Sequence, residues 1–253
     1  MFYKEFDACR EAVINPGDIL DRLEGLPKVC IGAFSKELVE RAKAEYGGEE
    51  IGALHSCCGD IPIYRIRAKG AEFALFLPMI GSAAAGACME ELIAMGAESF
   101  VFFGACGVLH HGIADGHLIV PTAAVRDEGF SYHYLPAADE VGLDADCVEA
   151  AKQAMEELGY PYVEGKTWTT DAIYRETRAK IERRKAQGCI CVEMECAALA
   201  AVAQFRGVKL AEFFFAADSL DGPEWDKRGL SDYGVEGADI YLRAALEIAR
   251  RLG

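Results

Sequence analysis

The sequence has no uninterrupted apolar stretch of the roughly 18 residues that a membrane-crossing helix requires, so no membrane partner is expected. Residues 1–20 scatter acids and bases through MFYKEFDACREAVINPGDIL, with no apolar core behind a basic start, and no secretory leader is expected there. There is no Pro-, Gly- or Ser-rich linker, no low-complexity tract and no internal period, which leaves residues 1–253 as a single domain. Basic clusters are missing as well. The formal charge is −15 and no run of Lys or Arg offsets it, which excludes nucleic-acid phosphate as a partner. The ten cysteines do not show the Cys-x2-Cys or His-x3-His spacing of zinc sites. Cys57-Cys58 beside His55 comes nearest to a metal cluster, and no metal is expected. Most of the cysteines sit inside apolar runs, where a free thiol behaves as a small hydrophobe. A disulfide framework belongs to short secreted chains, so reduced thiols and a cytoplasmic location are expected.

What is present is a chain long enough to bury roughly 70–75% of its unfolded surface in one α/β core. Short, fully apolar runs alternate with helical patterns, and this calls for a largely parallel sheet. Strands are expected at 29–34, 61–67, 72–77, 99–103, 117–125, 162–169, 189–192 and 210–217. The second and third of these read as a hairpin about Lys69-Gly70, and Pro121 marks a bulge or an edge. Gly104 to Gly107 reads as a tight turn closing the 99–103 strand. Helices are expected at 36–46, capped by Ser35 and stopped by Gly47-Gly48, and within 77–96, 146–158, 174–187 and 196–205. A last amphipathic helix over 235–251 should turn Ile240, Leu242, Ala245, Leu246 and Ile248 inward. The polar, aromatic segment 126–136 is long enough to be a functional loop.

The stretch 189–220 organises the rest. An apolar run ends in Glu193-Met194-Glu195, a small-residue helix follows, and a second apolar run ends in Asp218. Two strands joined by a helix read as a βαβ unit whose carboxylates fall at strand ends, where ligands bind in open α/β sheets. Two readings stand at this level: a pair of helix N-terminal acids favoured by the dipole, or a site built from Glu195 and Asp218. Asp218 has its own plain alternative, a cap for the segment after it.

Several segments, in this order and spacing, carry a resemblance. They are MEELIAMGAESFVFFGACGVL at 89–109, AVRDEGFSYHY from Ala124, WTTDAIY from Trp168, VEMECAALAAVA from Val192 and AADSL at 216–220. Together they resemble the purine nucleoside phosphorylase / uridine phosphorylase superfamily, which includes nucleosidases, across nearly the whole chain. The resemblance implies a three-layer α/β/α sandwich around a mixed, partly barrel-like sheet, and a homo-oligomer (dimer, trimer or hexamer). It also implies cleavage of the N-glycosidic bond of a small-molecule nucleoside. Glu195 would then accept hydrogen bonds from the ribose 2′- and 3′-hydroxyls, a task suited to an acceptor-only group, with Met194 packed on the sugar. Asp218 would donate to N7 of a purine, and Ile173 and Tyr174 would wall the base.

No cofactor is implied beyond phosphate as a co-substrate, and there the chain departs from the pattern. The family's Gly-Asp-Pro-x-Arg loop reads Gly32-Ala33-Phe34-Ser35-Lys36; its Arg ahead of the Gly-Ser/Thr turn is Phe102, and the hydroxyl after Gly104 is Ala105. The Gly-x-Pro-Ser signature has become Gly81-Ser82-Ala83-Ala84, and 47–60 holds no Arg. Gly32, Gly104, Lys36, Arg126 and Arg175 remain as candidates to hold an anion, with a surface salt bridge as the plain alternative for Arg126. The first reading is phosphorolysis of a purine nucleoside to free base and ribose 1-phosphate. Hydrolysis by water, a uridine phosphorylase and a non-catalytic nucleoside binder are the alternatives. The stretch around Glu37 faintly resembles the nucleosidase branch, which places a water-activating Glu there.

Overall fold

The structure, a computed structural model, describes residues 4–253. Among the described residues ten strands and six α-helices follow in the order β1 (Val29–Ala33), α1 (Lys36–Tyr46), β2 (Glu49–Ser56), β3 (Gly59–Ala68), β4 (Ala71–Phe76), α2 (Ser82–Met95), β5 (Ser99–Val108) and β6 (Leu118–Asp127). They continue as β7 (Glu140–Gly142), α3 (Ala145–Leu158), β8 (Tyr162–Thr170), α4 (Arg178–Ala186), β9 (Cys189–Glu193), α5 (Cys196–Arg206), β10 (Lys209–Ser219) and α6 (Ala238–Leu252). Local chemistry sets the ends. Ser35 Oγ accepts from the Leu38 amide to start α1, and Gly47, at φ 67°, ends it in the left-handed conformation that glycine adopts without strain.

One sheet carries everything. Strands β10, β6, β8, β9 and β5 lie side by side in that order, and β10 also pairs with β5, so these five close into a small barrel. The rest of the sheet, β1, β4, β3 and β2, extends outward from β5. Alternation along β5 separates two apolar layers. Val101 and Phe103 pack with α1, α3 and α6, while Phe100 and Phe102 pack with α2 and α5. Helices therefore cover both faces, and the three-layer sandwich about a mixed, partly barrel-like sheet is what is found. A third, smaller apolar cluster around Trp168 lies where Ile181 of α4 reaches the barrel.

Five sequence expectations are corrected. Gly104 to Gly107 is not a turn: β5 runs on to Val108, because Lys209–Ser219 pairs with it along its whole length. The β9–α5–β10 segment is not a parallel βαβ unit. β5 lies between the two strands, parallel to β10 and antiparallel to β9, and meets β9 only at Gly107–Val192 and Val108–Cys191. That crossing brings the carboxyl ends of β9 and β10 to the same residue, Gly107. α4 begins at Arg178 and not near 174, since residues 173–175 form a single 3-10 turn and Thr177 is extended. β2 was not expected at all; most of its residues are exposed or half-buried, so its apolar pattern is weak. Ile240 is 41% exposed rather than inward. The Pro121 bulge is present: the register between β6 and β8 shifts between Pro121 and Ala123.

Candidate functional site

The two acids of the 193–195 segment do different work. Glu193 closes β9 and is buried; its Oε2 accepts from the amides of Glu195 (2.6 Å) and Cys196 (2.7 Å), satisfying donors that the first turn of α5 leaves open. Its Oε1 takes the hydroxyls of Thr169 (2.6 Å) and Thr167 (3.3 Å) from β8. Burial pushes the Glu193 carboxyl up, and these four donors oppose the rise. Glu193 is thus the helix-terminus acid of the plainer reading.

Glu195 is not. Although it stands at the N-cap position of α5, its side chain caps nothing there. Oε1 instead reaches the amide of Gly81 at 2.6 Å, and Ser82 Oγ donates to the carbonyl of Met194 at 2.7 Å. These two bonds fasten the start of α2 to the start of α5. Gly81, at φ 99°, holds a conformation that a side chain would strain. Burial, and then the charge of Glu193, raises the Glu195 carboxyl to about 8, against the pull of the Gly81 and Met194 amides.

Asp218 sits near the end of β10, at a register shift against β5. Its Oδ2 accepts from the indole N–H of Trp225 at 2.7 Å, so an aromatic donor holds it rather than a backbone amide. Burial raises its carboxyl, with Trp225 and the charge of Arg228 opposing. Space at this point is set by Gly107, where an added Cβ would lie 3.1 Å from Asp218 Oδ1 and 3.1 Å from Val192 Cγ1. Sequence reasoning missed two neighbours. Glu176 faces Asp218 closely enough that, after burial, the charge of Asp218 helps push its carboxyl to about 7. Trp225 lay in a loop with no pattern, and is 59% exposed while its N–H is engaged. The signal for both was an isolated acid and an isolated indole in polar segments, which look like surface residues until the fold places them.

A pH dependence of stability follows. Glu195 and Glu176 favour their protonated forms in the folded protein, with values of about 8 and about 7, whereas the unfolded chain releases those protons near 4.5. The unfolded state therefore binds fewer protons over this window, and stability falls as pH rises from about 4.5 towards 8. Asp127, Asp221 and Glu247 are shifted down by Lys and Arg partners; they are ionised in both states above about 5 and do not offset the trend. Calorimetry between pH 5 and 8 should show a falling Tm, and Glu176→Gln should flatten the part below about 7.

The other sequence candidates are spread more widely. Met194 is half-buried beside Glu195. Ile173 and Tyr174 lie on the 3-10 turn before α4, and Tyr174 is 96% exposed. Lys36 and Arg175 are exposed. Arg126 is buried, not a surface salt bridge: Nε donates to Ser131 Oγ (2.7 Å), Nη1 to the Pro136 carbonyl (2.7 Å) and Nη2 to the Leu135 carbonyl (3.3 Å), and the guanidinium lies 4.0 Å over the Tyr132 ring. Its donors hold the 126–136 loop together. At Gly32, a Cβ would come within 2.5 Å of the Phe102 ring, which itself packs against Phe34, Phe76 and Phe100. A Cβ at Gly104 would meet Phe34 at 2.9 Å. Gly32→Ala should therefore overpack a ring that has nowhere to turn, lowering stability by about 1–3 kcal/mol in urea denaturation.

Between these features lies a cavity of about 20 Å³, room for about one water, walled by Phe34, Phe102, Glu195, Glu212 and Phe214 among others, with no Lys, Arg or His in its lining. Among the described residues no group of three or more His, Cys, Asp or Glu is arranged to hold a metal ion, and no helix is long and apolar enough to cross a membrane.

Residues 27–247 match the family model described as the Phosphorylase superfamily. The chain is 36% identical over 106 residues to a uridine phosphorylase of Thermococcus kodakarensis, 42% of this chain and 38% of that protein. It is 28% identical over 144 residues to a guanosine phosphorylase of Halorubrum lacusprofundi, 55% and 58% of the two chains. A purine nucleoside phosphorylase of Plasmodium vivax is 27% identical over 190 residues, 73% of this chain and 76% of that one. The match to the first two thus spans less than two thirds of their length. Among solved structures, a purine nucleoside phosphorylase from Toxoplasma gondii in complex with immucillin-H superposes with a TM-score of 0.77 at 22% identity, covering 96% of this chain and 99% of that one. An AMP nucleosidase from Bacteroides thetaiotaomicron gives 0.74 at 20% identity, covering 90% and 89%. These likenesses carry the fold. With the family model spanning nearly the whole chain, this protein belongs to the phosphorylase superfamily.

Proposed function

We propose that the protein cleaves the N-glycosidic bond of a purine nucleoside and that water, rather than phosphate, accepts the ribosyl group. The observation that carries the choice of acceptor is the Phe102 ring lying against Gly32, in a cavity lined by no cation. A phosphate dianion needs charge-assisted donors, and arginine supplies them in a way that an aromatic ring does not. Arg126, the buried candidate, is engaged with its own loop.

The reaction uses two acids in opposite states. Glu195 acts in its ionised form, whose share grows as pH rises towards about 8; it accepts from the ribose hydroxyls and stabilises the positive charge that develops on the sugar ring. Asp218, neutral, donates its proton to the leaving base. Attack of water forms the C1′–O bond, the C1′–N pair leaves with the base, and the proton released by the water returns to Asp218 through solvent. Burial of Asp218 and the neighbouring Glu176 support its being an acid at work.

The test is to incubate the protein with inosine, adenosine, guanosine and uridine, with and without phosphate, and to identify both products. Purine base and free ribose without phosphate are expected. Ribose 1-phosphate formed only with phosphate would overturn the acceptor and favour the reaction named for the curated relatives. No base from any of the four would overturn catalysis and leave a binding protein. In the same reading the enzyme works as a cytoplasmic homo-oligomer, which light scattering on the purified chain checks.

A further inference from the structure

Glu212 stands in the middle of β10, opposite Phe102 of β5, and is 2% exposed. Among the described residues no N–H or O–H donor reaches either of its carboxyl oxygens, and the weak Cys196 thiol is the donor that faces it. Such a group is costly to keep in a core as a charge and is normally paired or neutral. The ionisable groups that face it are Glu193 at the end of β9 and Glu195 and Cys196 at the start of α5. Behind these, Cys191 of β9 faces Cys196, and Asp171 faces Glu195. None of them is a cation. The rest of the cavity wall is uncharged, with Phe34, Phe102 and Phe214 supplying aromatic rings.

Glu193 has four donors fixed on its two oxygens, which favour a negative charge there. A second charge on Glu212, without any donor but the weak Cys196 thiol, has nothing to balance it, and burial raises its carboxyl strongly. Burial without a balancing cation favours the neutral carboxylic acid, which has a proton to give. The cavity it lines has room for about one water and is also lined by Glu195, whose hydrogen bond from Gly81 engages Oε1 alone. A buried water is stable where two or more polar groups meet it, and these two carboxyls provide them.

We propose that Glu212 is a positioning residue: a neutral carboxylic acid whose O–H donates to a water in the barrel cavity, which in turn donates to Glu195 and favours the ionised, accepting form of Glu195. The proposal rests on the reading of Glu195 as the sugar-binding carboxylate. It explains how an acid with burial and Glu193 both against its charge can still serve as an acceptor at neutral pH. A donor that is itself uncharged lowers the carboxyl of Glu195 without adding a cation that would oppose the positive sugar.

The experiment is a carboxyl titration by NMR on protein labelled with 13C at glutamate, in the wild type, Glu212→Gln and Glu212→Leu, with the Glu195 signal assigned from Glu195→Gln. In the wild type, the signal lost in both Glu212 variants should still be protonated at pH 7. In Glu212→Leu, which removes the donor, Glu195 should ionise at a pH about one higher, so that about tenfold less of it is charged at neutral pH. In Glu212→Gln the neutral amide still donates, and Glu195 should titrate as in the wild type. A merely structural Glu212 would leave the titration of Glu195 alone in both variants. The proposal is overturned if Glu212 titrates in the ordinary carboxylate range, a result readable in the wild type even if Glu212→Leu does not fold. It is overturned too if Glu195 is unmoved in Glu212→Leu. Because these signals need no turnover, failure to release base from any nucleoside counts against the proposed function and not against this arrangement.

Discussion

Glu195→Gln should lower kcat/KM for nucleoside cleavage by about 10²–10³-fold, the range seen when one charge-stabilising group at a developing transition-state charge is removed. The substitution keeps the volume, and the amide oxygen can still accept from Gly81, so the link between α2 and α5 that Oε1 makes at 2.6 Å should hold. What is lost is the negative charge opposite the sugar and the capacity to accept two hydroxyls at once. The loss should fall on kcat as well as on KM, since the charge on the sugar is greatest at the transition state. Stability should move the other way. Burial and Glu193 hold the Glu195 carboxyl near 8, so at pH 8 and above a neutral Gln removes a like-charge contact, and Tm should rise there. Lost activity together with a higher Tm at alkaline pH separates a working carboxylate from a structural one. Steady-state kinetics and calorimetry on the same preparation check both. If kcat/KM falls less than threefold, Glu195 is not the sugar's acceptor.

Much of the fold was legible because it rests on fully buried strands. Val29–Ala33 and nearly all of Cys189–Glu193 and Lys209–Ser219 are buried, and such runs show as uninterrupted apolar segments. β2 and β7 were not legible. One is largely exposed and the other has three residues, so neither leaves a pattern of its own. Barrel closure could not be read either: whether β10 pairs with β5 as well as β6 is a matter of pairing between distant residues, and the motif order says nothing of it. That is why Gly104 to Gly107 looked like a turn. In the site, Glu195 and Asp218 could be found because each follows an apolar run. Glu212 could not be seen as anything but part of its strand, since one acid among Leu210, Ala211, Phe213 and Phe214 looks like an outward-facing residue. Its burial depends on the barrel closing around it. Tyr174, which the family resemblance places with Ile173 beside the base, has a ring that the fold leaves exposed.

Asp218→Asn should reduce cleavage of purine nucleosides by about 10²–10⁴-fold, the usual reach of a positioned acid or base, while any slow cleavage of uridine changes far less. Asparagine is nearly isosteric, and its carbonyl oxygen can keep the 2.7 Å bond from the Trp225 indole, so the end of β10 should stay in place. The amide can donate a hydrogen bond to N7 but cannot give up a proton. Binding of the purine base itself should therefore survive, and the loss should lie in kcat. The pH profile offers a second reading. In the wild type the acid form of Asp218 is favoured by burial, opposed by Trp225 and by the charge of Arg228. A limb of kcat/KM that falls as pH rises through its ionisation should vanish in the variant. Glu176 has to be separated from this, because its carboxyl lies near 7 and faces Asp218. Glu176→Gln removes that group's own titration and the repulsion that its ionised form exerts on an Asp218 carboxylate. The falling limb should then remain but move to lower pH, since Asp218 loses its proton more readily beside a neutral neighbour. If instead the limb disappears in Glu176→Gln and persists in Asp218→Asn, the acid that serves the leaving base is Glu176, and Asp218 only holds the Trp225 loop over it.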